Sequence, residues 1–432
     1  MIPVSQYAQE IEQTDHPEMS LVNKWELSST FDISGIPMDT YPHFFTIFNA
    51  RWDTVTPGKE GWVNIERKRG TADESAYGAY ARSMFICEEE TTYKIKAEYT
   101  EEITIFLNKK FLLQEKNKPD KSAGTFEIEI SPKKGLNELF IFVISHSSDW
   151  KFRIIYFPEI KSPPVDHTLS KIIWETESNL LTPESVSYDP EYDMYYVSNY
   201  DYMYYTKGHP TGYISRISSD GKIQDQEWIK GLFAPTGICV YEHKLYIIVR
   251  NGVVVIDTKK GKYVTQYDIP DTDFLNDITV DSLGRLYISD SSGDPGKPDI
   301  YILENKEVKP WLQSESVSNT NGIYAYQGKL LIGNNGEGLF QAIDLNDKSI
   351  KTICSLGAGT IDGIRVDNQG NYIVSHWEGK IFRITHQGQI TEIFDTRIED
   401  YNAADFEYSG KSNTLFIPTF LGNKVTALKL SY

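Results

Sequence analysis

The sequence predicts an all-β chain, a small antiparallel β-sandwich of jelly-roll type followed by a six-bladed β-propeller. Three observations carry this. Alternating, strand-length segments rich in aromatic residues, with 28 Tyr and 20 Phe, run through the chain, whereas segments of helical period are nearly absent. A stretch with three prolines, PEIKSPPVDH from Pro158 to His167, interrupts them. Beyond it, one pattern of strand, tight turn and strand recurs six times.

Residues 1–19 read as an N-terminal tail. The opening MIPVSQYAQEIEQTDHPEMS has no basic start, no apolar core and no small-residue cleavage site, so it does not read as a secretory signal. Residues 20–157 hold the segments TTYKIKAEYT, EITIFLNKKFLL, TFEIEISPKKGLNELFIFVIS and WKFRIIYF, which alternate strongly and are joined by turns such as PKKG. That is the pattern of a sandwich, expected here as an accessory domain. Residues 158–169 form the proline-rich linker and 170–432 the propeller.

The six repeats are ESVSYDPEYDMYYVSN from Glu184, TGICVYEHKLYIIVR from Thr236, NDITVDSLGRLYISD from Asn276, NGIYAYQGKLLIGN from Asn321, DGIRVDNQGNYIVSH from Asp362 and ADFEYSGKSNTLFIPT from Ala404. Their starts lie about 40 to 45 residues apart after a longer first step, the period of a four-stranded propeller blade. Each is followed by a third strand, and the first five by a weaker fourth. The sixth stops at the chain end without one, while SKIIWETE, from Ser170, precedes the first repeat with nothing to pair with. Joining the two closes the ring and removes two exposed sheet edges.

In such a blade the first strand lines the central channel, so the residues that open the repeats converge at its mouth. Glu184, Thr236, Asn276, Asn321, Asp362 and Ala404 bring two carboxylates, two amides and a hydroxyl to one axis. Burying such groups unpaired costs roughly 2–7 kcal/mol each, and more for a carboxylate. A hard cation removes the cost. Oxygen donors without His or Cys point to calcium rather than magnesium, which wants a smaller octahedral cage, although another divalent cation fits the same chemistry. The alternative is that these groups hold channel waters or cap turns.

Residues 170–432 resemble the senescence marker protein, gluconolactonase and luciferin-regenerating enzyme family of calcium-dependent six-bladed propellers. The resemblance rests on PESV from Pro183, LNDITVDSLGRLYISD from Leu275, TNGI from Thr320 and IDGIRVDNQGNYIVSHW from Ile361. It implies that Glu184, Asn321 and Asp362 hold the metal and that Asn276 adjoins both metal and substrate. It also implies a lactonase-type hydrolase, with Asp362 as ligand and proton acceptor. Sugar-lactonase members carry an arginine two residues before the ND asparagine, and here that position is Phe274. An apolar or aromatic-faced substrate thereby becomes as plausible as a sugar lactone.

Loops leaving the second strands open on the same face. They supply Asn199, Tyr200, Asp201, His209, Asp290, Asp294, Asn334, Asn335, Glu337, His376, Trp377 and Glu378. Of these, His376 is a second candidate base by position, and Asp294 and Trp377 join Phe274 and Asn276 as candidate substrate contacts. Asp290 and Asp294 also suit turns in Gly and Pro company. Asp281 and Asp367 begin turns at the opposite end and are excluded.

The front domain, around ARSMFICEEETTYKIKAEYTEEITIFLNKKFLLQ, resembles galactose-binding-like jelly rolls; its Trp52, Trp62 and Trp150 are sugar platforms or core residues. The formal charge of −18, with no basic run longer than three residues, argues against nucleic-acid or anionic-membrane partners. Cys87, Cys239 and Cys354 show no disulfide or zinc spacing. No apolar run approaches a membrane span. The expectation is a cytoplasmic protein, or a secreted or periplasmic one if a signal peptide was removed. It would hydrolyse a small-molecule lactone or related ester, carbohydrate-derived or not, with the help of calcium. The alternative is a non-catalytic propeller of the NHL type that binds a sugar, peptide or protein at the same mouth.

Overall fold

The protein is described by a computed structural model covering residues 19–20, 24–33, 42, 52–58, 61–65, 77–87, 92–117, 123–145, 150–155, 157–158, 165–201, 209–272, 274–293, 296–317, 319–357, 359–396 and 402–432. The chain divides into two units, Met1–Ser162 and Pro163–Tyr432. Among the described residues both are built of β-strands, with short 3₁₀ turns and no α-helix.

In the first unit, two antiparallel sheets share one core. One is founded on Tyr77–Cys87 and Gly135–Ser145, paired along their whole length. Glu102–Leu107 and Lys110–Lys116 extend it on one side, Trp25–Ser28 and Trp52–Val55 on the other. The second sheet contains Gly124–Ile130, Tyr93–Tyr99, Lys151–Ile155 and Val63–Asn64. Alternation turns Ile95, Ala97 and Tyr99 of the second sheet into the same cluster as Ile103, Ile105, Leu139 and Ile141 of the first. The FLNKKFL hairpin turns on Asn108 and Lys109, whose φ values of 49° and 66° suit a tight two-residue loop. Trp150 is a core residue, whereas the Trp52 ring lies under the Arg82 guanidinium at 4.4 Å and the Trp62 ring under that of Arg153 at 4.7 Å.

The second unit is a ring of six four-stranded antiparallel blades. Blade one runs Pro183–Asp189, Met194–Asn199, Gly212–Ser218 and Ile223–Leu232; blade two runs Ile238–Tyr241, Lys244–Val249, Gly252–Asp257 and Lys262–Asp268. Blade three runs Leu275–Val280, Leu286–Asp290, Ile300–Glu304 and Glu307–Leu312; blade four runs Thr320–Tyr326, Lys329–Gly336, Leu339–Asp344 and Ile350–Leu356. Blade five runs Gly359–Val366, Tyr372–His376, Lys380–Ile384 and Ile390–Asp395. Blade six runs Glu407–Ser409, Thr414–Thr419 and Lys424–Leu430, and Ser170–Glu175 is its outer strand, in register Ser170↔Leu430 and Lys171↔Lys429. The first and last stretches of the unit thus meet in one sheet.

Apolar alternation gives each blade two packing faces, and the core lies between blades. Val186 and Val197 of blade one meet Phe416 and Val425 of blade six, while Ile214 meets Ile238 and Leu245 of blade two. Tyr287 and Ile300 of blade three pack on Ile323 and Leu330 of blade four. The DSLG turn closes on Gly284 at φ +79°, and Asp281 serves that turn by accepting from the Leu283 and Arg285 amides. Asp367 does the same for Gln369 and Asn371, so both aspartates are turn residues.

Candidate functional site at the channel mouth

The first strands of blades one, three, four and five share one irregularity. Between Pro183 and Val186, Leu275 and Ile278, Thr320 and Ile323, and Ile361 and Ile364, each carries one residue more than its partner strand. An inserted residue breaks the alternation of faces, bends the strand and re-aims a side chain. The residues inside these four bulges are Glu184, Asn276, Asn321 and Asp362, each with its successor. In blades two and six the ladders begin beyond Thr236 and Ala404 and run in constant register.

A bulge frees a backbone amide that must find another acceptor. In three blades a serine on the second strand supplies it: Ser198, Ser289 and Ser375 Oγ accept from the amides of Ser185 (2.9 Å), Asp277 (3.0 Å) and Gly363 (2.6 Å). The same hydroxyls reach the next blade, Ser289 donating to the Asn321 carbonyl at 2.6 Å and Ser375 to that of Ala404 at 3.1 Å. In blade four the turn to the neighbour is so tight that a Cβ on Gly322 would fall 1.7 Å from the Asp362 carbonyl oxygen, which is why NG stands there.

Glu184, Asn276, Asn321 and Asp362 are all buried, at 5, 4, 6 and 2% exposure. Each presents a side-chain oxygen that has no hydrogen-bond partner: Glu184 Oε2, Asn276 Oδ1, Asn321 Oδ1 and Asp362 Oδ1. Thr236 differs, since its hydroxyl donates to the Leu275 carbonyl at 3.4 Å, and Ala404 has nothing to offer. So of the six residues expected at the mouth, four present unpartnered oxygens. Asp201 and Asp290 each leave an oxygen unpartnered as well, beside the second-strand ends.

The charges converge. Burial first, and then the carboxylates of Asp362, Asp405 and Asp277, push Glu184 well above the ordinary glutamate range. Burial, Asp405 and Asp277 do the same to Asp362. Asp277 is also raised by burial and Asp405, against Arg365 and the Ile323 and Ile278 amides. Its two oxygens accept from those amides at 2.9 and 2.6 Å, so Asp277 ties blade three to blade four and is spent as a ligand. Asp405 accepts from Ser185 Oγ at 2.6 Å and pairs with Arg365 Nη1 at 3.2 Å. Four buried carboxylates therefore face one buried guanidinium, leaving Glu184 and Asp362 without a cation among the described residues.

Two carboxylate and two amide oxygens, desolvated and unpartnered, fit a hard, oxygen-seeking cation such as calcium. Among the described residues there is no metal-holding group of three or more His, Cys, Asp or Glu side chains. A site here must use the amides.

The other expected residues differ in what surrounds them. Asn199 accepts from the Leu181 amide, Asn334 from that of Leu339 and Asp290 from that of Ser292, so each holds its own blade's loop. His376 is buried directly across the ladder from Ile361, its imidazole against Gly359, where an added Cβ would lie 2.0 Å from Cε1. Phe274 and Trp377 are half-buried in one aromatic cluster with Tyr200, Phe233, Ala234 and Phe420. His209 is exposed, and Asp294 lies outside the described residues.

Sequence reasoning missed the bulges, the serines and the Arg365–Asp405 pair. The serines had a visible signal, since the second strands of three repeats end in VSN, ISD and VSH.

The family described as "SMP-30/Gluconolactonase/LRE-like region" matches residues 183–420. No curated protein matches the chain. Among solved structures, a streptogramin B lyase is similar at 16% identity and TM-score 0.45, over 60% of this chain and 98% of that one. A luciferin-regenerating enzyme is similar at 14% identity and TM-score 0.45, over 61% and 95%. A virginiamycin B lyase from Staphylococcus aureus is similar at 15% identity and TM-score 0.43, over 61% and 99%.

Proposed function

The chain belongs to the SMP-30/gluconolactonase/LRE-like family, and from that premise we propose that it is a calcium-dependent hydrolase of a lactone or related ester at the propeller mouth. The observation that carries the reading is the set of four buried, unpartnered oxygens on Glu184, Asn276, Asn321 and Asp362, one from each of four bulged strands. Glu184, Asn321 and Asp362 would hold the ion, and Asn276 would adjoin both ion and substrate. When bound, calcium would polarise the carbonyl and stabilise negative charge on its oxygen.

Hydrolysis adds the oxygen of water to the carbonyl carbon, breaks the acyl C–O bond and leaves a carboxylic acid and a hydroxyl. Asp362 accepts the proton of that water, the carboxylate that the family resemblance makes both ligand and proton acceptor. His376 is the second candidate for this role. Phe274 and Trp377 flank the substrate, and Asp294 keeps the role of substrate contact that its sequence position gives it.

A second reading has its own support. Phe274 stands where sugar lactonases carry a substrate-gripping arginine, which favours a propeller that binds a sugar, peptide or protein without turnover. Elemental analysis and a panel of aldonolactones, alkyl lactones and aryl esters decide between them. On the hydrolase reading the protein carries calcium and turns over part of the panel, and Glu184→Gln and Asp362→Asn each abolish the calcium-induced rise in melting temperature along with turnover. Calcium binding without any turnover rejects hydrolysis for binding, and a protein indifferent to calcium rejects the metal site.

A further inference from the structure

One side of the mouth is apolar in a way that neither blade packing nor the oxygen set uses. Tyr200, Ala234 and Phe420 are buried together, and Phe233, Phe274 and Trp377 pack half-buried against them, apart from the clusters that hold the blades. The Trp377 and Phe420 rings meet edge-on at 5.0 Å, and those of Tyr200 and Phe420 lie 5.9 Å apart.

Position explains the grouping. Tyr200, Trp377 and Phe420 each follow the last residue of the second strand, in blades one, five and six. Phe274 directly precedes Leu275 and stands two residues before Asn276, and Phe233 leads into Thr236. The rings form an arc over blades five, six, one, two and three. In blade four the residue after Asn334, which pairs with Thr320 as His376 pairs with Ile361, is the exposed Asn335, whose Oδ1 accepts from Thr360 Oγ1 at 2.8 Å, while Arg250 and Ser291 follow the second strands of blades two and three. Rings thus gather at strand ends of five blades, beside the ends where Glu184, Asn276 and Asp362 stand, and blade four presents an exposed amide.

A polyhydroxylated ring gains from these rings only through its C–H face, and any hydroxyl turned toward them gives up hydrogen bonds to water. A flat apolar body gains face and edge contacts instead, and sheds apolar surface from water. We propose that the substrate of this site is a lactone or ester with an aromatic or comparably flat apolar body, held on the arc of Tyr200, Phe233, Phe274, Trp377 and Phe420 with its carbonyl toward the ion that Glu184, Asn276, Asn321 and Asp362 would hold. The proposal rests on the hydrolase reading and narrows it.

The test compares dihydrocoumarin, an aryl lactone, with glucono-1,5-lactone on the full-length calcium-loaded protein. Wild type is expected to favour dihydrocoumarin in kcat/KM. Phe274→Ala and Trp377→Ala should each lower that preference about tenfold, and Phe274→Leu, which keeps bulk without the ring and guards against collapse of the cluster, should lower it less. A wild-type preference for gluconolactone, or a preference that neither alanine variant changes, overturns the arc. If neither lactone is hydrolysed, the hydrolase reading has failed by itself, and calorimetry with the lactam analogue of dihydrocoumarin decides the arc. Binding that Phe274→Ala weakens about tenfold supports it, and no binding overturns it.

Discussion

Removing calcium should destabilise the propeller, and by an amount that depends on pH in a direction the site dictates. Four buried oxygens without partners carry an uncompensated desolvation of about 4–12 kcal/mol at about 1–3 kcal/mol each, and more where the two carboxylates are charged, so the ring has ample reason to take up an ion. A ligand at a hundredfold its Kd that binds only the native state contributes about 2.7 kcal/mol. At about 2–4 °C per kcal/mol for a unit of this size, the melting temperature should rise by roughly 5–11 °C. Protons compete with the ion. Without it, Glu184 and Asp362 are pushed above their ordinary values of 4.5 and 3.8, chiefly by burial. The folded chain then holds protons that the unfolded chain has released. Stability from this source is complete below the ordinary values and is lost as pH rises through the raised ones. Calcium replaces those protons, so its benefit should grow with pH over the same window. Melting curves of metal-stripped protein, with and without added calcium at about pH 5 and about pH 7.5, read this directly. A shift of equal size at both pH values, or no shift, would refute the argument that these two carboxylates hold the ion.

Two further outcomes test the frame behind the oxygens. Ser289→Ala removes the hydroxyl that serves both the Asp277 amide and the Asn321 carbonyl; it should cost about 1–3 kcal/mol in denaturant melts and weaken calcium binding measured by calorimetry. Arg365→Met leaves Asp405 buried beside Glu184, Asp362 and Asp277 without its cation, and should cost about 3–5 kcal/mol, with part of the loss recovered as pH falls and the carboxylates take up protons.

The ring was legible in the sequence because its cause is periodic. A blade needs two apolar faces and tight turns, so strand alternation and Gly, Asn and Asp turns recur at each repeat, and the unpaired SKIIWETE marks where the ring shuts. The site was legible only as residue types. Glu184, Asn276, Asn321 and Asp362 stand out because a buried strand does not open with polar groups unless something answers them. What the repeat could not show is which openers stay unanswered. Thr236 looks as available as Asn276 on paper, yet a carbonyl of the next blade takes its hydroxyl, because that hydroxyl is short and lies within reach of Leu275.

The aromatic arc was legible only in part. Tyr200 and Trp377 follow second strands and Phe274 precedes a first strand, so the repeat already put them at this face, whereas Phe233 and Phe420 were not singled out, and closure of the ring is what brings all five together. The same closure explains the division of labour between neighbouring residues of the bulges. Around the axis the residues that follow the six openers run Ser185, Gly237, Asp277, Gly322, Gly363 and Asp405, and the three polar ones spend their polar atoms on adjoining blades. Asp277 answers the Ile323 amide, and Ser185 answers both Asp405 and the Ile238 amide at 3.3 Å. The glycines leave room where the next strand crowds in, with the Asn276 carbonyl oxygen 2.8 Å from where a Gly237 Cβ would sit. A ring fastened in this way keeps its shape while four oxygens at its mouth remain unpartnered, which is the condition for binding an ion strongly without first breaking bonds the fold needs.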